Sequence, residues 1–260
     1  MNILFLGDVV ARSGRDAVIS YLPQIKKQYS ADFTIINGEN SAHGKGITSK
    51  IYRQLKEAGA DVITLGNHTF SKSEIIGNFS QCPDMIRPAN LEPADIGKPY
   101  IIRECRGRRI AVVNLLGTVF MDIAAGDPVT AMNSLLQEID ADIIIVDLHA
   151  EATSEKQVFY HIFRSRVTAV IGTHTHVQTA DEQVTDGCAY ITDAGMCGPF
   201  DSILGRDTDE VIRRMVYREQ TRFTPSDKPA VICGILIRTD DATNRCISAE
   251  RIQIRPEMRV

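Results

Sequence analysis

Residues 142–176 read DIIIVDLHAEATSEKQVFYHIFRSRVTAVIGTHTH, and this stretch decides the fold. The apolar runs DIIIVDL (142–148) and VTAVIG (167–172) have the length and composition of fully buried β-strands. Between them, SEKQVFYHIFRSR (154–166) places its apolar residues at helical spacing. A buried strand, an amphipathic helix and a second buried strand predict an α/β layered structure.

The same alternation of strands and helices extends towards the N-terminus. Further buried strands are predicted at NILFLG (2–7), FTIIN (33–37), DVITLG (61–66) and RIAVVNLLG (109–117), and further helices at 15–29, 49–59 and 130–140. Four prolines between residues 83 and 99 predict an irregular connection. PAVICGILIRT (229–239) and RCISAERIQIRP (245–256), separated by DDATN, predict a C-terminal antiparallel hairpin. We expect one domain over 1–260, with mixed β-sheets packed between helices.

Composition excludes several classes of protein. With 24% charged and 43% hydrophobic residues in 260, the chain is neither disordered nor collagen-like. The formal net charge of −4 argues against strong non-specific binding to nucleic acid, although it permits a small anionic substrate. The six cysteines contain no C-x-x-C pair, so a zinc ribbon is not expected.

The apolar segments are too short for a membrane protein. No apolar run approaches the ~20 residues that span a bilayer. The first ten residues, MNILFLGDVV, have no basic region before the apolar run and meet Asp8 early, which is typical of a buried strand rather than a signal peptide. We therefore expect a cytoplasmic protein without a membrane partner.

Chemically active side chains follow five of the predicted strands. We expect these five strand ends to belong to one α/β sheet, and the carboxyl ends of strands line the ligand crevice in open α/β folds, so such residues could converge. In chain order they are Asp8, Glu39 with Asn40, Asn67 with His68, His149, and His174 with His176. Imidazole, carboxylate and amide groups suit divalent metals such as Fe, Mn, Zn or Co. The set exceeds what one ion needs, so two ions bridged by Asp8 or Glu39 are expected.

Taken singly, each of these residues has a simpler explanation. Asp8 alone is more often a helix cap, Asn67-His68 is ordinary turn chemistry, and His149 alone is as often a hydrogen-bonded loop residue. His174-Thr175-His176 is a stronger signal, because alternate residues of an extended segment project to the same side. The argument depends on the equivalent position of all five sites.

Other strings near these strand ends do not match known phosphate or zinc motifs. HGKGIT (43–48) resembles a phosphate-binding loop, but its spacing from Gly38 is one residue too long and Gly46 replaces the required Ser or Thr. Arg12 and Arg15, just beyond Asp8, suit an anionic substrate, another subunit or a solvated helix start, and the last is the simplest explanation.

The full set of motifs resembles a known family. Gly7-Asp8, Gly38-Glu39-Asn40, Gly66-Asn67-His68, His149 and Gly172-Thr173-His174-Thr175-His176 are similar to the calcineurin-like metallophosphoesterases, and most similar to the bacterial YmdB-like branch. The resemblance covers essentially the whole chain, including INGENSAHGKGIT, TLGNHTF and TDAGMCGPFDSILGRD. Three positions depart from the broad superfamily pattern: Val10 replaces a His, Glu39 replaces the commoner Asp, and Thr69 replaces an acidic residue beside His68.

The resemblance implies a ligand set and an activity. Asp8, Glu39, Asn40 and His176 would hold one metal ion, and Glu39 would bridge to a second held by Asn67, His149 and His174. The implied centre is di-iron (Fe²⁺/Fe³⁺), with Mn²⁺ as a substitute. The implied substrates are cyclic nucleotides, with 2′,3′-cyclic nucleotides favoured over 3′,5′-cAMP.

The expected mechanism is in-line attack on phosphorus by a hydroxide that bridges the two ions, with His68 as the proton donor to the leaving group. The expected partners are a small phosphodiester and further copies of the chain in a homo-oligomer. The main alternative is a regulatory metal-binding protein that acts through partner or RNA-related interactions with weak phosphoesterase activity. A di-iron redox protein fits poorly, because the helical Glu-x-x-His pairs of such proteins are not visible.

Overall fold

The computed structural model describes residues 1–258, in which strands and helices alternate along most of the chain. The strands are β1 (Asn2–Leu6), β2 (Asp8–Val9), β3 (Phe33–Asn37), β4 (Val62–Thr64), β5 (Tyr100–Cys105), β6 (Arg108–Leu116), β7 (Ile143–His149), β8 (Ala169–Thr173), β9 (Gln183–Thr185), β10 (Cys188–Ile191), β11 (Met196–Pro199), β12 (Ala230–Thr239) and β13 (Cys246–Ile254). The helices are α1 (Ala11–Gln28), α2 (Ser49–Ala58), α3 (Ser73–Asn78), α4 (Pro128–Glu138), α5 (Thr153–Phe163) and α6 (Thr208–Met215), with short 3₁₀ turns at Phe79–Gln81 and Pro256–Met258.

The strands form two mixed sheets. The first has the order β2-β11-β12-β1-β3-β4, with β13 also paired to β12, and its strands β1, β3 and β4 are parallel. The second has the order β5-β6-β7-β8-β10-β9, in which β6, β7, β8 and β10 are parallel. Parallel neighbours end at the same edge of a sheet, so each sheet collects the loops after its strands at one edge.

Apolar side chains join the two sheets and hold the helices against them. Phe5 and Ile35 from the first sheet pack with Val112, Ile145 and Ile171 from the second in one buried cluster. A second cluster seats α1 and α2 on the outer face of the first sheet, and a third seats α4 and α5 on the outer face of the second. The layers therefore run helices, sheet, sheet, helices, which confirms the predicted mixed sheets packed between helices.

The predicted elements match the structure closely where the apolar pattern is strong. All six predicted strands end within two residues of the observed ones, and the C-terminal hairpin of β12 and β13 is present. Helix α2 begins after Thr48, whose hydroxyl accepts a hydrogen bond from the backbone N–H of Ile51 (3.3 Å), and it ends at Gly59 in the left-handed conformation (φ 115°), as predicted.

The start of α1 differs from the prediction. The helix begins at Ala11 rather than at residue 15, because its first turn, ARSG, is held by tertiary contacts and not by apolar spacing. Gly14 lies against β11 so closely that a Cβ there would meet the carbonyl oxygen of Cys197 at 2.0 Å. This close approach seats α1 beside the strand that pairs with Asp8.

The proline-rich segment 83–99 is irregular, as predicted, and it is organised around a buried arginine. Arg87 is 2% exposed, and its guanidinium donates to the carbonyl oxygens of Pro88 (2.7 Å), Leu91 (3.1 Å) and Ile96 (3.1 Å). None of the helices within residues 1–258 has the length and apolar character that crossing a bilayer requires.

Candidate metal centre and active site

The two sheets bring all of the sequence-predicted site residues to one place. The first sheet supplies Asp8 on β2, Glu39 and Asn40 after β3, and Asn67 and His68 after β4, and the second supplies His149 at the end of β7 and His174 and His176 after β8. The sites meet because the carboxyl edges of both sheets face the same cleft. Their side chains form two adjoining groups that share Glu39.

The first group contains Asp8, Asn40 and His176. The Asn40 amide nitrogen lies 3.2 Å from Oδ1 of Asp8 and 3.1 Å from Nε2 of His176. Turning the amide by 180° places its oxygen at the same point, so Asn40 can present an oxygen ligand there. His176 Nδ1 lies 3.1 Å from the carbonyl oxygen of Leu204, to which it can donate a hydrogen bond, and this leaves Nε2 free to face Asp8.

The second group surrounds Nε2 of His149. This nitrogen is 3.0 Å from Oε1 of Glu39, 3.0 Å from Oδ1 of Asn67 and 3.0 Å from Nδ1 of His174. Ligand atoms of Glu39, His149 and His174 lie within 4.8 Å of one another. Glu39 also receives a hydrogen bond from the Asn40 amide (3.1 Å), so its carboxylate lies between the two groups.

The segment His174-Thr175-His176 is not extended. The prediction that His174 and His176 project to the same side of an extended segment was therefore wrong. His174 (φ 105°) and His176 (φ 67°) both have positive φ, and their imidazoles belong to different groups. Two hydrogen bonds to buried carboxylates hold the backbone of this segment in its bend. The N–H of His174 donates to Oδ2 of Asp8 (3.1 Å), and the N–H of Thr175 donates to Oδ2 of Asp193 (3.0 Å). One bend therefore delivers one imidazole to each group.

Each of the three clustered imidazoles has one nitrogen held by a residue that belongs to neither ligand group and the other nitrogen directed into its own group. His176 uses the carbonyl of Leu204, as described above. His174 Nε2 lies 3.2 Å from the carboxylate of Glu151, and His149 Nδ1 lies 2.9 Å from the hydroxyl of Thr173. A ligating histidine in a metalloprotein ordinarily has its second nitrogen held in this way, which sets the tautomer and the ring orientation.

Sequence reasoning missed the buried network beneath His149. The Thr173 hydroxyl, which can accept from His149 Nδ1–H, donates to Oδ1 of Asp147 (2.6 Å). The other carboxylate oxygen of Asp147 accepts from Asn37 (2.9 Å) and from the hydroxyl of Thr64. In the sequence, Asp147 is an acidic residue inside the apolar strand DIIIVDL. A buried carboxylate needs hydrogen-bond partners, so this position could have predicted a buried polar network.

Electrostatics within the site reflect its burial and its concentration of charge. Burial alone would raise the pKa of Glu39, but the charge and hydrogen bond of His149 hold it down to about 2. Burial lowers the pKa of His149, but Glu39 and Asp8 outweigh it and raise the value to about 9. Burial and the proximity of His149 lower the pKa of His174 to about 3, so that imidazole is neutral at pH 7.

The donor set fits divalent cations. Asp8 and Glu39 are at most 1% exposed, and among residues 1–258 no lysine or arginine forms an ion pair with either. Protonated His149 would supply part of the compensating charge, and a bound divalent cation would take the place of that proton. Gly66 is required beside the cluster, because a Cβ there would lie 2.2 Å from Oε2 of Glu39 and 2.6 Å from Nε2 of His149.

A cavity of about 390 Å³ opens at the two candidate ligand groups. Glu39, Asn40, His174 and His176 line it, together with His68 and Arg206. An apolar wall that sequence reasoning did not identify consists of Ile203, Leu204, Val211, Met215 and Phe223. His68 contacts the cluster through its backbone N–H, which donates to Oε2 of Glu39 (3.0 Å), so its imidazole is free for another role.

Known proteins are similar to this chain in sequence and in fold. A profile of the family described as YmdB-like protein matches residues 4–252. A Bacillus subtilis (strain 168) protein named 2′,3′-cyclic-nucleotide 2′-phosphodiesterase is 45% identical over 257 residues, which are 98% of this chain and 97% of the relative.

Two solved structures agree with this match. The crystal structure of a novel phosphatase from Mycoplasma pneumoniae superposes with a TM-score of 0.93 and 38% identity, covering 99% of this chain and 95% of that one. A hypothetical protein from Thermus thermophilus superposes with a TM-score of 0.91 and 36% identity, covering 97% and 98%. The expected enzyme class, a metal-dependent hydrolase of phosphoric esters, is confirmed by these relatives. The chain belongs to the YmdB-like family of metallophosphoesterases.

Proposed function

We propose that this protein is a binuclear-metal phosphodiesterase that hydrolyses 2′,3′-cyclic nucleotides. The observation that carries the proposal is the orientation of three imidazoles, each anchored by one nitrogen and directing the other towards two buried carboxylates. The name of the Bacillus subtilis relative supports the choice of substrate class. 3′,5′-cAMP is the second substrate to test.

In this proposal Asp8, Asn40 and His176 hold one ion, Asn67, His149 and His174 hold the other, and Glu39 bridges. Iron is the expected metal, with Mn²⁺ as the substitute, because both accept mixed imidazole and oxygen ligands. When bound, the two ions supply Lewis acidity towards the phosphoryl group and an acidified water as nucleophile. The chain's own contribution is to fix these ligands and to leave the cavity side of the centre open to substrate.

His68 is the proposed proton donor to the leaving ribose oxygen. Its side chain lines the cavity but does not belong to either ligand group. Burial lowers its pKa, and the charges of Lys45 and Arg206 act in the same direction while Glu39 opposes them. An anionic phosphodiester in the cavity adds negative charge, raises that pKa and favours the protonated imidazole in the complex.

The apolar wall suits the nucleobase of such a substrate. Leu204, Met215 and Phe223 present a hydrophobic surface on one side of the cavity, while Arg206 and His68 lie among the polar residues. A nucleotide has this same division between an apolar base and a charged phosphate. Alanine at Phe223 should therefore raise the KM for a cyclic nucleotide and leave that for a small aryl phosphodiester nearly unchanged.

The test is metal analysis of freshly purified protein, followed by assays with a panel of 2′,3′- and 3′,5′-cyclic nucleotides. Cleavage of the 2′ ester yields a nucleoside 3′-monophosphate, which chromatography separates from the 2′ isomer. Glu39→Ala should lose both bound metals and activity, and full activity in that variant contradicts the scheme. A metal-loaded wild-type protein inert to the whole panel favours the regulatory alternative.

We further propose that residues 1–260 form a single domain of a cytoplasmic protein that assembles as a homo-oligomer. Within residues 1–258 no disulfide bond joins any of the six cysteines, in keeping with a reducing compartment. Met215, Val216 and Tyr217 are each more than 60% exposed at the end of α6, and such apolar surface is typical of subunit contacts. Light scattering coupled to gel filtration measures the oligomeric state, and a monomer at micromolar concentration contradicts the assembly proposal.

A further inference from the structure

A second cavity, of about 360 Å³, lies beside the catalytic one and is lined by basic residues. It is referred to below as the basic pocket and is lined by Arg15, Ala42, His43, Thr48, Lys50, Ile51, Gln54 and Lys72. The segment 40–48 borders both cavities, because Asn40 lines the catalytic cavity and His43 lines the basic pocket. His43 and Thr48, the first and last residues of HGKGIT (43–48), line the pocket; this string resembles a phosphate loop without matching its spacing.

Two lysines of the basic pocket carry positive charge that no ion pair neutralises. Within residues 1–258, no acidic side chain lines it, and Lys50 and Lys72 make no ion pair. The carboxylate of Glu74, close to the start of α2, already accepts from the backbone N–H of Ser49 (3.2 Å) and from its hydroxyl. By contrast, Arg12 near the start of α1 is paired with Asp16.

The geometry of the pocket fixes part of this charge in place. Arg15 is half-buried and donates to the carbonyl oxygen of Ser41, which orients its guanidinium. The side chain of Lys72 passes so close to Gly46 that a Cβ there would lie 3.0 Å from Cγ of Lys72.

We propose that the basic pocket binds a phosphate group, separate from the phosphodiester that is hydrolysed. Convergent unpaired cations in a concave site, in a chain whose net charge is −4, are what anion recognition requires. Two sources of that phosphate have the same chemistry: the next phosphate of an oligoribonucleotide that ends in a 2′,3′-cyclic phosphate, or free phosphate. The first source rests on the proposed function, and the second does not.

The first arm of the test measures binding without catalysis. Equilibrium dialysis of the metal-loaded protein with ³²P-labelled orthophosphate compares wild type, Lys50→Gln/Lys72→Gln and a matched control, Lys27→Gln/Lys98→Gln. Lys27 and Lys98 line neither cavity, so the control removes the same charge elsewhere. The pocket variant should lose one class of sites, or bind at it about tenfold more weakly, and that site should weaken with salt. Equal binding by wild type and the pocket variant overturns the proposal.

The second arm identifies the source of the phosphate. The kcat/KM values are compared for a cyclic mononucleotide and for a dinucleotide with a terminal 2′,3′-cyclic phosphate. A several-fold loss confined to the dinucleotide in the pocket variant assigns the site to the substrate chain. Loss of phosphate binding with both kcat/KM values unchanged assigns it to free phosphate. If wild type hydrolyses neither compound, the proposed function fails, and the dialysis still decides whether the pocket binds phosphate. Single Lys50→Gln, at an exposed position, repeats both arms should the double variant misfold.

Discussion

Replacing Thr173 with Val should weaken metal binding without changing any proposed ligand. The Thr173 hydroxyl lies 2.9 Å from Nδ1 of His149 and 2.6 Å from Oδ1 of Asp147, and all three residues are fully buried. Valine has nearly the same shape but cannot hydrogen-bond, so the His149 ring loses the group that holds its Nε2 towards Glu39 and Asn67.

The magnitude follows from the groups left without partners. One buried donor on His149 and one acceptor on Asp147 lose their bond, and each such loss costs about 1–3 kcal/mol. Two such losses together would cost about 2–6 kcal/mol, but Asp147 keeps its bonds from Asn37 and Thr64, so we expect the lower end of that sum, about 2 kcal/mol in the free energy of unfolding. Loss of a group that orients a ligating histidine typically reduces metal affinity or activity by about 10–100-fold.

The assay measures metal affinity by competition with a chelator, together with kcat/KM and the free energy of unfolding. Thr192→Val is the matched control, because the Thr192 hydroxyl is also buried and bonds to a carboxylate, Asp181, and to Tyr190 (3.0 Å). The control should lose comparable stability and retain metal affinity. If Thr173→Val binds metal as tightly as wild type, the assigned positioning of His149 is wrong.

Three further variants test other parts of the site and the fold. His68→Ala should retain its metals and lose about 10²–10⁴-fold in kcat on substrates with poor leaving groups, with a smaller loss on nitrophenyl esters; loss of metal would instead make His68 a ligand. Gly66→Ala should lower metal content measured by atomic absorption, because its Cβ would overlap the cluster, and unchanged content would show that the loop can move. Burial tends to raise the pKa of the Asp84 carboxyl, but the ion pairs of Asp84 with Lys56 (2.9 Å from Nζ to Oδ2) and Arg103 (2.6 Å from Nη2 to Oδ1) hold that pKa below its ordinary value. Its stabilising contribution is therefore present above the unfolded pKa of about 4 and is lost as pH falls, so urea denaturation of Asp84→Asn should show a smaller difference between pH 6 and pH 3 than wild type.

Local apolar patterns predicted much of the fold, because strands that are buried in the core are rich in apolar residues. Strand β7 (IIIVDLH) consists mainly of Ile, Val and Leu, strand β3 (FTIIN) is buried throughout, and the limits of both were predictable to within two residues. Strand β9 has only three residues and pairs with its neighbour β10, whereas the four-residue strand β11 pairs with β2 and β12, which are distant in sequence. Their own residues carry too little pattern to predict them.

The identity of the candidate ligands was also readable from the sequence, because each follows a strand and strand ends of one sheet share an edge. The orientation of those ligands was not readable. The two positive φ values at His174 and His176 depend on contacts with Asp8 and Asp193, which are far away along the chain. Only the folded backbone decides which imidazole enters which group.

The sequence by itself determined the alternation of strands and helices and the residue types at five strand ends. The tertiary structure decided that two sheets, not one, meet at the site, that Thr173 and Asp147 hold His149, and that the segment after Asn40 separates the catalytic cavity from the basic pocket. The physical reason is the separation along the chain of the residues involved. Strand and helix periodicity depends on residues a few positions apart, whereas these hydrogen bonds and cavities are formed by residues that only folding brings together.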